Sequence, residues 1–250
     1  MNAWEACVVF AAGAGAGAIN TLVGSGTLFT FPALLACGIS PVTAMISNSI
    51  GLTPGSIAGV IGYRRELAGQ RARVLRFGGM SFLGALTGGT LLLTLPERVF
   101  TSIAPVLILF ACALIIFQPQ ISARLQERRA ARPHGGPLLP LGVYGAGVYG
   151  GYFVAAQGVI LISLLSSSLN DEMQRLNALK NVLALIVNAS VALFYLVLAE
   201  PHWGAVALIS TGSVIGGYFA AKFGRRLRPG ALRALIVVIG LTAAVQLVLR

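Results

Sequence analysis

Long apolar runs separated by short polar segments make up most of this chain. Six of the runs have the length of a single membrane crossing, near residues 42–62, 75–95, 100–118, 174–198, 203–222 and 231–249. An α-helix rises about 1.5 Å per residue, so about 20 apolar residues span the roughly 30 Å hydrocarbon core of a bilayer. The pattern therefore predicts an all-α, polytopic transmembrane helical bundle.

Two further apolar runs, 4–38 and 138–169, are too long for one crossing. As single helices they would measure about 52 Å and about 48 Å. In the first run, Gly24-Ser25-Gly26 and the nearby Pro32 offer a natural break. We expect a helix over 4–22, an unwound stretch and a shorter helix over 27–38. With each long run counted as one broken helix, the chain has about eight spans.

Composition and charge narrow the class of protein and indicate its orientation. The chain is 56% hydrophobic and only 10% charged, which argues against a soluble enzyme, a nucleic-acid-binding module and any sizeable extramembrane domain. Its net charge of +11 comes mainly from arginines in short loops, as cytoplasmic loops have. With eight simple crossings, loops 64–76 and 119–137 share a face and loop 222–233 falls opposite. A hairpin over 138–169 would add a ninth crossing and place all three loops inside.

The two halves of the chain show the same order of segments, and an offset of 132 residues aligns them. Gly26 then falls on Gly158, and one residue of slippage places Asn48 on Asn181. Each half has an interrupted apolar run, a span with scattered polar residues and two further spans. Repeated halves with interrupted helices in matching positions are typical of transporters. We therefore expect a first transmembrane repeat over 1–118, a basic cytoplasmic linker over 119–137 and a second repeat over 138–250, each repeat opening with a broken helix.

The predicted breaks have the chemistry of an anion site. Unwinding frees backbone N–H groups at the start of the next half-helix, where the helix dipole is positive. Five residues at the breaks are candidate substrate contacts: Ser25, Gly26, Thr27, Gln157 and Gly158. The alternative is a kink at which Ser and Thr side chains bond back to the preceding turn.

Lys180 is the ionisable residue that lies deepest in a predicted span. All seven carboxylates lie at span ends or in loops, whereas Lys180 is about 13 Å inside a helix that starts near Asp171. A buried cation is costly unless paired, so Lys180 is a candidate counter-charge for an anionic substrate. The alternative is that its side chain snorkels to the interface. Asn48, Asn181 and Asn188 are further candidate contacts, or else fasteners between helices.

Motifs for other chemistry are missing from the sequence. It has no nucleophile motif, phosphate-binding loop or dinucleotide fingerprint, and its cysteines and histidines have no ligand-spaced partners. We expect no enzyme activity, no catalytic residue, no cofactor and no metal. The expected partners are a small anion and the lipid bilayer, without nucleic acid, and the sequence leaves a homo-oligomer open.

Several of these segments together resemble the sulfite exporter TauE/SafE family of membrane transporters. In the first half they are Gly24-Ser25-Gly26, Phe31-Pro32-Ala33-Leu34-Leu35, Gly38-Ile39-Ser40-Pro41, Asn48-Ser49, Pro54-Gly55-Ser56 and Tyr63-Arg64-Arg65-Glu66-Leu67. In the second half they are Gly145 to Gly151, Gln157-Gly158, Asn177, Lys180-Asn181 and Asn188. One departure is Ala155-Ala156, where many relatives have a richer glycine cluster.

The resemblance implies a duplicated helical fold in a bacterial inner membrane, with multiple crossings. It also implies export or uptake of small sulfur-containing anions such as sulfite, sulfoacetate or other organosulfonates. The leading hypothesis is therefore a secondary transporter that holds the anion near mid-membrane between the broken helices and Lys180. Two alternatives are a channel-like anion pore and a non-transporting membrane subunit or assembly protein.

Overall fold

The computed structural model describes residues 1–127, 136–223 and 229–248. Over these ranges the chain forms ten helices and no strand, which confirms the prediction of an all-α protein. They are α1 (Ala3–Leu22), α2 (Thr27–Ala36), α3 (Pro41–Gly62), α4 (Arg71–Thr94), α5 (Glu97–Glu127), α6 (Leu138–Tyr152), α7 (Gln157–Ser168), α8 (Met173–Leu198), α9 (Trp203–Phe223) and α10 (Pro229–Val248). The central parts of the predicted 119–137 linker and of the 222–233 loop lie outside the described residues.

Among the described residues, six stretches of helix are long and apolar enough to cross a membrane, by length and composition. They are Ala3–Leu22, Pro41–Gly62, Arg71–Thr94, Glu97–Ile121, Met173–Leu198 and Trp203–Lys222. This number is smaller than the predicted eight, because the second over-long run divides into two short helices and because the last predicted span contributes only the shorter apolar helix Ala234–Val245. Of the four helices that the two over-long runs form, α2, α6 and α7 have 10, 15 and 12 residues, fewer than a bilayer crossing needs.

The first over-long run folds back on itself instead of continuing as a broken helix. The chain reverses through residues 23–26. Gly24 in this turn has a φ of +87°, which residues other than glycine rarely adopt. A Cβ on Gly26 would lie 2.4 Å from the Ala16 carbonyl oxygen, and the Phe29 ring lies beside Gly15. Later residues of α2 thus meet earlier residues of α1. We call this antiparallel pair, α1–α2, the first hairpin.

The second over-long run makes the same kind of turn. Gln157 lies on Gly150, and Leu164 lies beside Gly142, so α7 runs back along α6. The reversal uses residues 153–156, with positive φ angles at Val154 and Ala156, although neither residue is a glycine. The second hairpin, α6–α7, therefore forms despite the missing glycine cluster.

The longer leg of each hairpin packs against parallel helices of the bundle. Helix α9 runs parallel to α1, since Gly13 meets Ile209 and Gly17 meets Ser213, and parallel to α3 by similar contacts. Helix α4 runs parallel to α6, since Gly84 packs on the Tyr144 end of that helix and Gly88 packs one turn further along. Glycines at these crossings let the backbones approach closely, as is common in membrane bundles.

The basic loops begin on one face of the bundle. Arg73 at the start of α4 pairs with Asp171 just before α8, with 2.5 Å between Nη1 and Oδ2. Gly62 at the end of α3 packs on Ala221 near the end of α9, so loop 222–233 begins on this face too. Helix α5 follows α4 after residues 95–96. A hairpin over 138–169 is the arrangement in which all three basic loops are expected on one face, and the second over-long run forms such a hairpin.

Candidate anion-binding site

The two hairpins meet at their tips, residues 23–26 and 153–156 with the first residues of α7. The Gly158 N–H donates to the Gly24 carbonyl oxygen over 3.1 Å, and a Cβ on Gly24 would lie 2.4 Å from the Gly158 Cα. All eight turn residues are buried. The shorter legs, α2 and α7, measure about 15 Å and about 18 Å. Each of these two legs is about half as long as the bilayer core is thick, so neither crosses it alone.

The backbone donors at the start of α7 are already engaged in this contact. Gly158 donates to Gly24, and the Val159 N–H donates to the Ala156 carbonyl over 2.9 Å. Two polar side chains at the tips are buried and have no hydrogen-bond partner within the described part of the chain, namely the Ser25 hydroxyl and the Gln157 Nε2. Gly26 fits closely against α1. The Ser25 and Gln157 side chains are thus unpaired polar groups at the tips.

The candidate contacts Thr27 and Asn48 bind each other between α2 and α3. Asn48 Nδ2 donates to Thr27 Oγ1 over 3.1 Å, and the Thr30 hydroxyl donates to Asn48 Oδ1. All three residues are buried. These bonds fasten α2 to α3, so Asn48 has the contacts that the fastener alternative expects.

Lys180 is buried beside the tip of the first hairpin. Its side chain is only 1% exposed, so it does not snorkel to the surface. Nζ donates to the Thr21 carbonyl oxygen over 3.4 Å. Thr21 lies in the last turn of α1, where carbonyls lack partners within the helix and a cation is favoured. Among the residues that the structure describes, no carboxylate forms an ion pair with Lys180.

A small polar chamber lies between α1, α3 and α8. It has a volume of about 10 Å³ and is lined by Asn20, Thr21, Ser56, Gly59, Asn181 and Ala184. The Ser56 hydroxyl oxygen accepts from Asn20 Nδ2 over 3.2 Å and from Asn188 Nδ2 over 3.1 Å. Within the described ranges, Asn181 Nδ2 and Asn188 Oδ1 are buried without a partner. The predicted contacts Asn181 and Asn188 thus belong to one polar region with Lys180.

Three residues of this region were not predicted from the sequence: Asn20, Thr21 and Ser56. Asn20 is the one amide in the otherwise apolar second half of α1, and this isolation is a signal that could have identified it. Thr21 and Ser56 have no such signal, because small hydroxyl residues are common in membrane helices. The site as a whole combines one buried cation with amide and hydroxyl groups and no acidic side chain among its described members. This electrostatic character suits an anion.

Comparisons with known proteins also indicate a membrane transporter. Residues 9–247 match the family model described as sulfite exporter TauE/SafE. The "Probable membrane transporter protein YfcA" of Escherichia coli K12 is 24% identical over 233 residues, which cover 93% of this chain and 85% of that protein. A "Probable membrane transporter protein" of Haemophilus influenzae is 22% identical over 241 residues, or 96% of this chain and 93% of that protein. No solved structure matches the chain.

Proposed function

Because the chain belongs to the sulfite exporter TauE/SafE family, we propose that it is a secondary transporter for small sulfur-containing anions such as sulfite or organosulfonates. The family and the two relatives are membrane transporters rather than enzymes, and the chain is a multi-pass protein of the inner membrane. The observation that carries the choice of an anion is Lys180, a buried cation beside the meeting hairpin tips, with no carboxylate partner among the described residues.

The proposed architecture has two inverted repeats, over 1–118 and 138–250, joined by a cytoplasmic linker over 119–137. Three features support it. Each half consists of a helical hairpin followed by three helices, the hairpins approach each other from opposite ends, and the packing is reciprocal. Helix α1 of the first half packs along α9 of the second, and α6 of the second half packs along α4 of the first. With both hairpins entering and leaving on one side of the membrane, full crossings by α3, α4, α5, α8, α9 and α10 would place all three basic loops in the cytoplasm.

The proposed mechanism places the anion beside the meeting hairpin tips, as many transporters bind their substrate where helices are interrupted. The anion would bind near Lys180, Asn181 and Asn188, with Ser25, Thr27 and Gln157 of the tips on the other side. The chamber of about 10 Å³ has room for about one water molecule, so an anion enters only after the tips move apart. The two halves would then rock around the bound anion. The direct Gly24–Gly158 contact favours this mechanism over a permanently open pore.

Lys180→Met tests the proposed counter-charge. The purified protein in liposomes should transport sulfite or a sulfonate with saturation kinetics, and the variant should lose at least about 90% of that transport because the anion loses its cation. The fold should survive, since an apolar side chain of similar length replaces a buried charge. Lys222→Met is the matched control: it removes the chain's other lysine, which is exposed at the end of α9.

Each possible result selects one hypothesis. Unchanged transport by folded Lys180→Met would refute the counter-charge role. Flux that rises linearly without saturation would favour the anion pore. A wild-type protein that moves no anion from a panel of sulfur oxyanions would favour the non-transporting subunit.

A further inference from the structure

The polar chamber joins helices from both halves of the chain. Asn20, Thr21, Ser56 and Gly59 come from α1 and α3, whereas Asn181 and Ala184 come from α8. A ligand atom in the chamber would therefore contact both halves at once. The volume of about 10 Å³ accommodates one water-sized atom.

The hydroxyl groups that line the chamber already donate to carbonyl groups of their own helices. Ser56 donates its hydroxyl hydrogen to the Leu52 carbonyl over 3.0 Å, so its oxygen can only accept, and Asn20 and Asn188 point their Nδ2 groups towards it. The Thr21 hydroxyl donates to the Gly17 carbonyl over 3.0 Å. Neither hydroxyl hydrogen is therefore free to bind a ligand.

One residue that lines the chamber carries an unpaired donor. Asn181 Nδ2 is buried without a partner within the described residues, and the side chain is 6% exposed. Asn188 Oδ1, an unpaired acceptor, does not line the chamber. Lys180, the next residue to Asn181, has three donors and one bond to Thr21. A buried donor without an acceptor is unfavourable, which marks the place where a ligand acceptor would bind.

We propose that the chamber is the pocket for one oxygen atom of the transported anion, in which Asn181 donates to that oxygen and Lys180 balances the charge. This inference rests on the proposed function and adds to it the chamber lining formed by Asn20, Thr21 and Ser56. It also sets a selectivity. An anion that presents a small oxygen acceptor, such as sulfite or a sulfonate, fits the pocket, whereas a bulky monatomic anion such as bromide does not.

Gly59→Ala tests the pocket without removing any polar group. A Cβ at Gly59 would lie 2.8 Å from Thr21 Oγ1, and so would fill the space that the oxygen needs. We expect the KM for sulfite to rise about tenfold or more in liposomes. Gly79→Ala is the matched control, because its Cβ meets nothing within 4 Å and its position in α4 is exposed.

Asn181→Ala is the second variant, in case Gly59→Ala folds poorly. It removes the unpaired donor and should raise the KM for sulfite about tenfold or more, while bromide remains a poor competitor, as in the wild type. Wild-type KM values in both folded variants would overturn the pocket and leave the transport function standing. If the wild type transports no anion, the proposal is tested by comparing how much sulfite stabilises the purified wild type and the two variants. Stabilisation of the wild type that both variants lose would support the pocket, and any other pattern would overturn it.

Discussion

Alanine at Gly158 would test whether the two hairpins require direct backbone contact in the middle of the protein. A Cβ at this position would lie 2.5 Å from the Gly24 Cα and 3.1 Å from the Gly24 carbonyl oxygen. Gly158 does not have a positive φ. The penalty is therefore steric alone, and the nearest atoms belong to the backbone, which cannot rotate away as a flexible side chain can.

The size of the penalty follows from these contacts. To restore an ordinary separation, the tips must move apart by about 1 Å, which weakens the buried 3.1 Å bond from Gly158 to Gly24. Overpacking costs about 1–3 kcal/mol and the lost bond about 1 kcal/mol, so we expect a total of about 2–4 kcal/mol. Gly24→Ala should cost about 1–2 kcal/mol more, because its φ of +87° also disfavours alanine.

Two control variants separate the contributions. Gly38→Ala has a φ of +79° but open space around its Cβ, so it measures the conformational cost alone. Gly79→Ala has neither a positive φ nor a close neighbour. The free energy of unfolding would be measured for each variant by denaturant titration in detergent micelles. If Gly158→Ala is as stable as Gly79→Ala to within about 0.5 kcal/mol, the tips do not depend on this contact and the steric reasoning is refuted.

Two further predictions concern the face that carries the basic loops. Burial alone would raise the pKa of Asp171, but the hydrogen bond from Arg73 and the charge of Arg175 outweigh it and lower that pKa. The stabilisation is thus present at neutral pH and fades below about pH 4. Asp171→Asn should cost about 1–2 kcal/mol and reduce the acid sensitivity of Tm, and an unchanged pH profile would contradict this. In a cysteine-free background, Ala68→Cys should react with a membrane-impermeant maleimide from the cytoplasm and Glu200→Cys from the opposite side; the reverse pattern would refute the orientation.

Local sequence was enough to predict the helices and the first break. Apolar runs of about 20 residues form helices in a bilayer whatever surrounds them, since lipid cannot satisfy backbone groups. Gly24 marks the first turn because glycine alone adopts its φ easily. The distance of Lys180 from the start of its helix left burial and snorkelling as alternatives, and the structure shows the side chain buried. The helices and the first break depend on residues that are close in sequence.

Tertiary contacts decided the direction of the chain after each break and the composition of the site. A glycine-rich break allows a helix to continue or to reverse, and packing of Phe29 on Gly15 selects the reversal. The second turn has positive φ at Val154 and Ala156, a conformation without a glycine signal that the surrounding structure must impose. The polar chamber gathers side chains from α1, α3 and α8. Such a convergence depends on how helices cross, and no local pattern in the sequence encodes it.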